Sequence, residues 1–180
     1  ILNITDIEKI KKALQGSKRP LIVIGSGVKL ANQEEQAIKF IQRLNIPFVT
    51  TWSTVDMFTS SFSNLIGSFG VSSNRPGNFA VQSCDLLISL GSRLDTHMTG
   101  ANASKFSTKS YKIMVDIDQS EIEKENGLKI DIPININLIK RFRKNIEFMR
   151  LFVSGILFDQ VLAHWANFER MFIVNFINHI

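Results

Sequence analysis

Short, uninterrupted apolar runs alternate with amphipathic helical stretches along most of this chain, and that alternation restricts its fold more than any other feature. Pro20-Leu21-Ile22-Val23-Ile24, Pro47-Phe48-Val49-Thr50-Thr51, Asp85-Leu86-Leu87-Ile88-Ser89-Leu90 and Lys112-Ile113-Met114-Val115-Asp116-Ile117 carry too few polar positions for strands with one wet face. Such runs suit strands buried on both faces, as parallel strands are. Between them, apolar residues recur at helical spacing. Residues 6–15 place Ile7, Ile10 and Leu14 on one face, and Thr5-Asp6-Ile7-Glu8 has capping-box spacing with Thr5 as N-cap. Residues 33–44 turn Ala37, Ile38, Phe40, Ile41 and Leu44 inward and Gln33, Glu34, Glu35 and Lys39 outward. A helix at about 78–83, another starting at 119–125, a strand at 130–136 and a helix at 138–149 continue the pattern. It predicts an α/β fold: a doubly wound, Rossmann-like parallel sheet of about six strands with helices on both faces. Residues 59–78, rich in Ser, Asn and Gly, read as a long loop with little regular structure, and 95–109 as a second polar loop. Long loops in compact domains are more often functional than idle.

At 180 residues and 20.4 kDa the chain has room for one well-buried domain. The alternation assigns residues 1–150 to it and leaves 151–180 as an apolar, helical C-terminal extension. The net charge of +5 and pI near 9.5 raise the question of nucleic acid. The clusters Lys9, Lys11, Lys12 and Lys140, Arg141, Arg143, Lys144 fall on helices, however, where basic runs form the solvated face. Apart from Phe142 they lack the interleaved aromatic residues of a nucleic-acid surface, so no such partner is expected. Cys84 is the sole cysteine, which excludes an intrachain disulfide and a cysteine metal cluster and points to a reducing, cytoplasmic setting. Its place between a helix and a strand supplies no basic partner for a catalytic thiol. His97, His164 and His179 lack metal-ligand spacing. The N-terminus has no signal-peptide pattern. It begins inside a helical pattern without Met, as a piece of a longer protein is expected to. The charge-free runs of the tail, such as Leu151 to Phe158, fall far short of the about 20 residues a bilayer span needs, so no membrane association is expected.

Three motifs sit where strands end. Gly25-Ser26-Gly27 resembles the start of a dinucleotide fingerprint, in which glycines bring backbone close to a pyrophosphate. The next small residue is displaced to Ala31, and the second strand ends Thr50-Thr51-Trp52-Ser53 with no acid for an adenosine ribose. That argues against a standard NAD site and leaves a tight strand-to-helix turn as the plain alternative. Gly91-Ser92-Arg93-Leu94-Asp95 puts an arginine beyond the third run, where a phosphate or carboxylate would bind, or where Arg93 and Asp95 would pair to brace the loop. Asp116-Ile117-Asp118 offers a carboxylate to ribose hydroxyls, or Asp118 as a helix cap through Ser120 and Glu121. No nucleophile elbow, Walker loop or paired His-Glu motif occurs.

In order along the chain, Arg19 to Gly27, Ile46 to Thr51, Ile66-Gly67-Ser68-Phe69-Gly70, Gly77-Asn78-Phe79-Ala80, Cys84 to Asp95 and Val115 to Ile122 resemble the central domain of thiamine-diphosphate enzymes such as acetolactate synthase. The resemblance covers roughly Ile4 to Phe142. It implies a parent enzyme, a transferase or lyase acting on 2-oxo acids, that uses thiamine diphosphate and Mg²⁺. Those cofactors would be held by a pyrimidine-binding and a diphosphate-binding domain that this stretch lacks. The family's Gly-Asp-Gly motif is absent here, so the isolated chain is expected to be inactive. In flavin-containing members the central domain binds FAD. The matching positions are Gly25, Gly27, Thr51, Trp52, Gly67, Gly70, Gly91, Ser92, Arg93, Asp95, Asp116 and Ile117, with FAD or ADP as the implied ligand. The chain departs from the family at Ser53-Thr54 and Ile136-Asn137, where relatives often have Gly and Gly-Asp. The rival reading is a free-standing adenine-nucleotide-binding or scaffold module.

Residues 151–180 carry Phe152, Ile156, Phe158, Leu162, Trp165, Phe168, Phe172 and Phe176. Each large side chain left in water forfeits about 1.5–3 kcal/mol, so this segment is expected to be covered. A symmetric homodimer through it is one solution, and folding back over its own sheet edge is the other. The dimer is the expectation. Sedimentation equilibrium checks it: a monomer at tens of micromolar, unchanged by deletion of 151–180, would contradict it.

Overall fold

The computed structural model describes residues 4–135. The helix expected at 138–149, Ile136-Asn137 and the segment 151–180 lie outside the described residues. Six parallel strands form one sheet: β1 (Pro20–Ile24), β2 (Phe48–Thr50), β3 (Leu65–Ser68), β4 (Leu86–Leu90), β5 (Tyr111–Asp116) and β6 (Ile132–Asn135). Their order is β3-β2-β1-β4-β5-β6, the doubly wound arrangement expected, with the winding reversing between β1 and β4. The helices are α1 (Ile4–Gly16), α2 (Gly27–Leu30), α3 (Glu34–Leu44), α4 (Arg75–Ser83), α5 (Thr96–Thr99) and α6 (Gln119–Ile122).

Alternate strand residues feed two cores. Ile22, Ile24, Phe48, Ile88, Ile113 and Ile132 face α1 and α3, whose Ile10, Phe40 and Ile41 close over them. Leu21, Val23, Val49, Leu87 and Met114 face the other way, against Val81 and Cys84 at α4 and Ile122 of α6. Residues 20–24 and 86–90 are therefore apolar on both faces because both faces are covered. The outer strand β6 alternates instead, Ile132 and Ile134 buried with Pro133 and Asn135 exposed, and it tolerates a proline because one of its sides has no strand partner among the described residues.

Several local expectations are corrected. Thr5 lies within α1, which already includes Ile4, and so does not cap it. Gln33 is buried at the N-cap of α3, its Nε2 donating to Ala31 O at 3.1 Å, so it does not face outward. The loop read over 59–78 contains β3, and α4 begins at Arg75 with Pro76 in its first turn. The 95–109 loop holds α5 and a short 3-10 turn, Ala103–Lys105.

At the amino end of the β1–β4 seam, Asp85 gathers the chain entering β1. Its carboxylate accepts hydrogen bonds from the Ser17 hydroxyl and from the backbone amides of Lys18 and Arg19, the latter two at 2.9 Å. Burial pulls the Asp85 carboxyl up, but these donors and the Arg19 charge outweigh it and hold it below its ordinary value. A depressed folded-state pKa adds stability that is present above the unfolded carboxylate's pKa and is lost as pH falls through the folded one. Asp85→Asn is expected to cost about 1–2 kcal/mol at neutral pH, since the group is only half-buried. Urea denaturation should show the gap between variant and parent closing as pH drops below the carboxylate range. A gap that persists in acid would contradict this role.

Candidate functional site

Because every strand runs the same way, their carboxyl ends line one edge of the sheet, where open parallel sheets hold ligands. All twelve positions expected from the sequence fall at or just beyond these ends, in the spatial order Gly67 and Gly70, Thr51 and Trp52, Gly25 and Gly27, Gly91 to Asp95, Asp116 and Ile117.

At the reversal point the loops after β1 and β4 touch through their backbones. A Cβ on Gly25 would collide with Gly91 O, and one on Gly27 would lie 2.8 Å from Gly91 Cα. Gly91 itself has φ +62°, and a Cβ there would sit 2.9 Å from Gly27 Cα and from Val28 N. The amides are spent on neighbouring backbone: Gly25 N donates to Leu90 O at 2.9 Å and Gly27 N to Gly91 O at 2.8 Å across the seam, and Gly91 N to Val115 O of β5 at 2.9 Å. The glycines thus admit neighbouring backbone, where the dinucleotide pattern would have them admit a pyrophosphate.

On the β2 side, buried Thr51 donates its amide to Ile24 O at 2.9 Å, and its hydroxyl lies 2.9 Å from that of Ser53. Trp52, starting a 3-10 turn (Trp52–Met57), is 71% exposed. Gly67 and Gly70 have φ of +131° and +122°. Asn78 of α4 clamps Gly70, accepting from its amide and donating to its carbonyl, both at 2.9 Å. Val71 N then donates to His97 O at 2.8 Å, tying the end of β3 to the loop after β4.

Beyond β4, Ser92 and Leu94 are buried while Arg93 points outward. Asp95 caps α5 by accepting from the amides of His97 at 2.9 Å and Met98 at 3.3 Å. The Arg93–Asp95 pair entertained from the sequence is absent. Arg93 Nε instead lies 3.7 Å from Glu121 Oε1, whose other oxygen pairs with Lys124 Nζ at 3.0 Å. Lys124 Nζ also donates to the Arg93 and Leu94 carbonyls. Buried Asp116 accepts from Asp118 N at 3.0 Å, and Asp118 caps α6 through Ser120 N at 2.9 Å, the cap alternative read from the sequence. Bonds from the Ser120 hydroxyl and amide hold the Asp118 carboxyl below its ordinary value. Ile117 is 58% exposed.

Glu121, Lys124 and Asn78 are the side chains the sequence reading did not single out. Asn78 lies inside a quoted motif, but nothing local signals that Glu121 and Lys124 reach back about 30 positions to the β4 loop. Cys84 is buried, and burial pushes its thiol up, so it serves packing. No three His, Cys, Asp or Glu side chains among the described residues could hold a metal ion, and no described helix is long and apolar enough to cross a membrane. The edge is built to hold shape and to present Trp52, Arg93 and Ile117.

Fold and site together define a doubly wound, Rossmann-like α/β domain whose reversal point is closed by its own backbone. The family model for the thiamine pyrophosphate enzyme central domain matches residues 7–140, and the chain belongs to that family. It is similar to the probable acetolactate synthase large subunit of Methanococcus aeolicus, 34% identical over 128 residues that make up 71% of this chain and 21% of that protein. The acetolactate synthase large subunit of Cyanidium caldarium is 33% identical over 137 residues, 76% of this chain and 23% of the relative. Isozyme 2 of the large subunit from Escherichia coli K12 is 26% identical over 134 residues, 74% and 24% respectively. The chain therefore spans less than a quarter of the length of these relatives.

Gly91→Ala tests the closed reversal point. A left-handed φ and a backbone collision together are expected to cost roughly 2–4 kcal/mol by denaturant unfolding. Gly100, with φ +80° but nothing within 4 Å of its missing Cβ, is the control, and Gly100→Ala should cost only about 1 kcal/mol. Equal losses would mean that the contact contributes nothing.

Proposed function

We propose that this chain is the central, non-catalytic domain of a thiamine-diphosphate-dependent carboligase or decarboxylase of the acetolactate-synthase kind, acting on 2-oxo acids, and that it braces its neighbouring domains. The carrying observation is the commitment of the Gly25, Gly27 and Gly91 amides to neighbouring backbone, which leaves no pyrophosphate cradle at the reversal point. The chain has no Gly-Asp dipeptide, and its described residues hold no metal cluster, so thiamine diphosphate and Mg²⁺ do not fit here. They are assigned to a pyrimidine-binding and a diphosphate-binding domain of the parent. The parent is read as a cytoplasmic homo-oligomer, in keeping with a free, buried Cys84 and an apolar C-terminal segment.

A second reading is favoured by one feature. Trp52 and Ile117 stand exposed on either side of the reversal point, with Arg93 also exposed at the same edge. FAD or ADP would lie across that edge with its rings on the apolar side chains and its phosphates toward Arg93, leaving the reversal point closed.

Calorimetric titration separates the readings. With thiamine diphosphate and Mg²⁺ the chain is expected to give no saturable heat, and a micromolar Kd would overturn the bracing role. With ADP or FAD the bracing role predicts no binding. Should binding occur, the second reading predicts that Arg93→Ala weakens it at least about tenfold, because charge-assisted contacts to Arg are worth about 1.5–3 kcal/mol.

A further inference from the structure

The opposite, amino-terminal edge of the sheet carries a cleft of about 450 Å³ that the domain's role in the parent does not explain. Asp85 precedes β4, Tyr111 opens β5 and Asp131 precedes β6, and all three line it. One wall is the segment Ala103 to Tyr111. The other includes Gly127 and Lys129, and it packs closely, since a Cβ on Gly127 would meet Ser104 Cβ at 3.3 Å. The volume lies in the range of small-molecule sites.

Its charge is unevenly used. Asp85 is spent on Ser17, Lys18 and Arg19, and Asp131 accepts from Lys112 N at 2.9 Å while pairing with Lys129 Nζ at 3.1 Å. Lys112, also lining the cleft, is only 5% exposed, and its ammonium donates to Ser107 O at 2.7 Å and Ser110 O at 3.2 Å. No carboxylate among the described residues lies within bridging distance of it. A buried ammonium held by neutral carbonyls alone is costly, and an anion nearby would offset that cost. Burial accordingly draws the Lys112 pKa down, against a weaker pull upward from Asp131. Three further donors at the cleft, the Thr108 hydroxyl, the Lys109 ammonium and the Tyr111 phenol, have no side-chain partner among the described residues.

We propose that this amino-edge cleft binds a small phosphate-bearing anion, gripped by Lys109, Thr108 and Tyr111, shared with Lys129, and lying beside the buried Lys112. Phosphate suits the donor set because its several oxygens can accept from ammonium and hydroxyl groups at once. The site is separate from the carboxyl edge and stands whether or not any nucleotide binds there.

The test is amide-shift NMR on the whole chain, titrated with pyrophosphate at constant ionic strength, with acetate and chloride as control arms. Saturable shifts at Thr108, Lys109 and Gly127 are expected, with a Kd at least about tenfold weaker in the Lys109→Ala/Lys129→Ala double variant and unchanged in Arg93→Ala. Both lysines are exposed, so the double variant should keep the parent's dispersed spectrum. Equal response to chloride, shifts confined to the carboxyl edge, or an unchanged Kd in the double variant would overturn the proposal. Acetate matching pyrophosphate would overturn the phosphate assignment.

Discussion

The seam between β1 and β4 holds this domain together, pinned at its start by a carboxylate that serves backbone and at its finish by backbone meeting backbone. Five consecutive pairs, Pro20 with Leu86 through Ile24 with Leu90, run along it. At its start the Asp85 carboxylate collects the hydroxyl and amides of residues 17–19, converting the turn out of α1 into a fixed entry to β1. At its finish three glycines let two loops meet at backbone distance. A shift of one residue would send Ile22 and Ile24 to the wrong core and carry Gly25 away from Gly91, so both clamps enforce the register that burial already favours. β2 and β3 extend the sheet from one side of the seam, β5 and β6 from the other.

A tight seam has a consequence for ligands. In sheets of this topology the crevice at the reversal point opens because the loops after the two central strands diverge to opposite faces. Here they converge, with Gly27 N donating to Gly91 O at 2.8 Å and a Cβ on Gly91 falling 2.9 Å from Gly27 Cα. Glycine at such positions has two physical uses, a positive φ and a close approach, and only the second depends on what approaches. Loop backbone is what approaches at Gly25 and Gly27. A backbone-closed edge fits the bracing role proposed above, while Trp52 and Ile117 remain exposed there.

The central strands were legible because burial on both faces writes itself as an apolar run. β3 was not. Leu65-Ile66-Gly67-Ser68 offers two apolar residues and a glycine, and its burial is partial because among the described residues it pairs with β2 alone, through an irregular register at Phe48 and Val49. An outer strand needs fewer apolar residues and so leaves less trace. Candidate site positions were legible as strand ends, since glycine and charged residues interrupt the runs there. Their partners were not, because the link from Arg93 to Glu121 crosses from the β4 loop to α6, and one arginine with two nearby acids leaves the choice to tertiary geometry. Asp118 capping α6 is set by residues two positions apart and could be anticipated, whereas the capping-box spacing at Thr5 misplaced the start of α1.

The two edges of the sheet divide the polar groups by a simple rule. At the carboxyl edge polar groups are paired within the fold: Asp95 and Asp118 cap helices, Asn78 clamps Gly70, and Glu121 and Lys124 brace the Arg93 loop. At the amino edge the two carboxylates are likewise consumed by backbone and Lys129, but Lys109 and Lys112 have no carboxylate partner among the described residues. Lys112 is the telling case. It is a strand residue of β5 buried on the Cys84 side, where an apolar side chain would satisfy the core at lower cost. Ser107 and Ser110 supply carbonyls to its ammonium, and Ser107 is itself fixed by its hydroxyl to Val81 O at 2.6 Å and by its amide to Gln82 Oε1 at 3.1 Å. Elements from three parts of the chain thus converge to keep a positive charge under the floor of a polar cleft. The proposed bracing role calls for no such charge, whereas the anion site proposed at the amino edge would account for it.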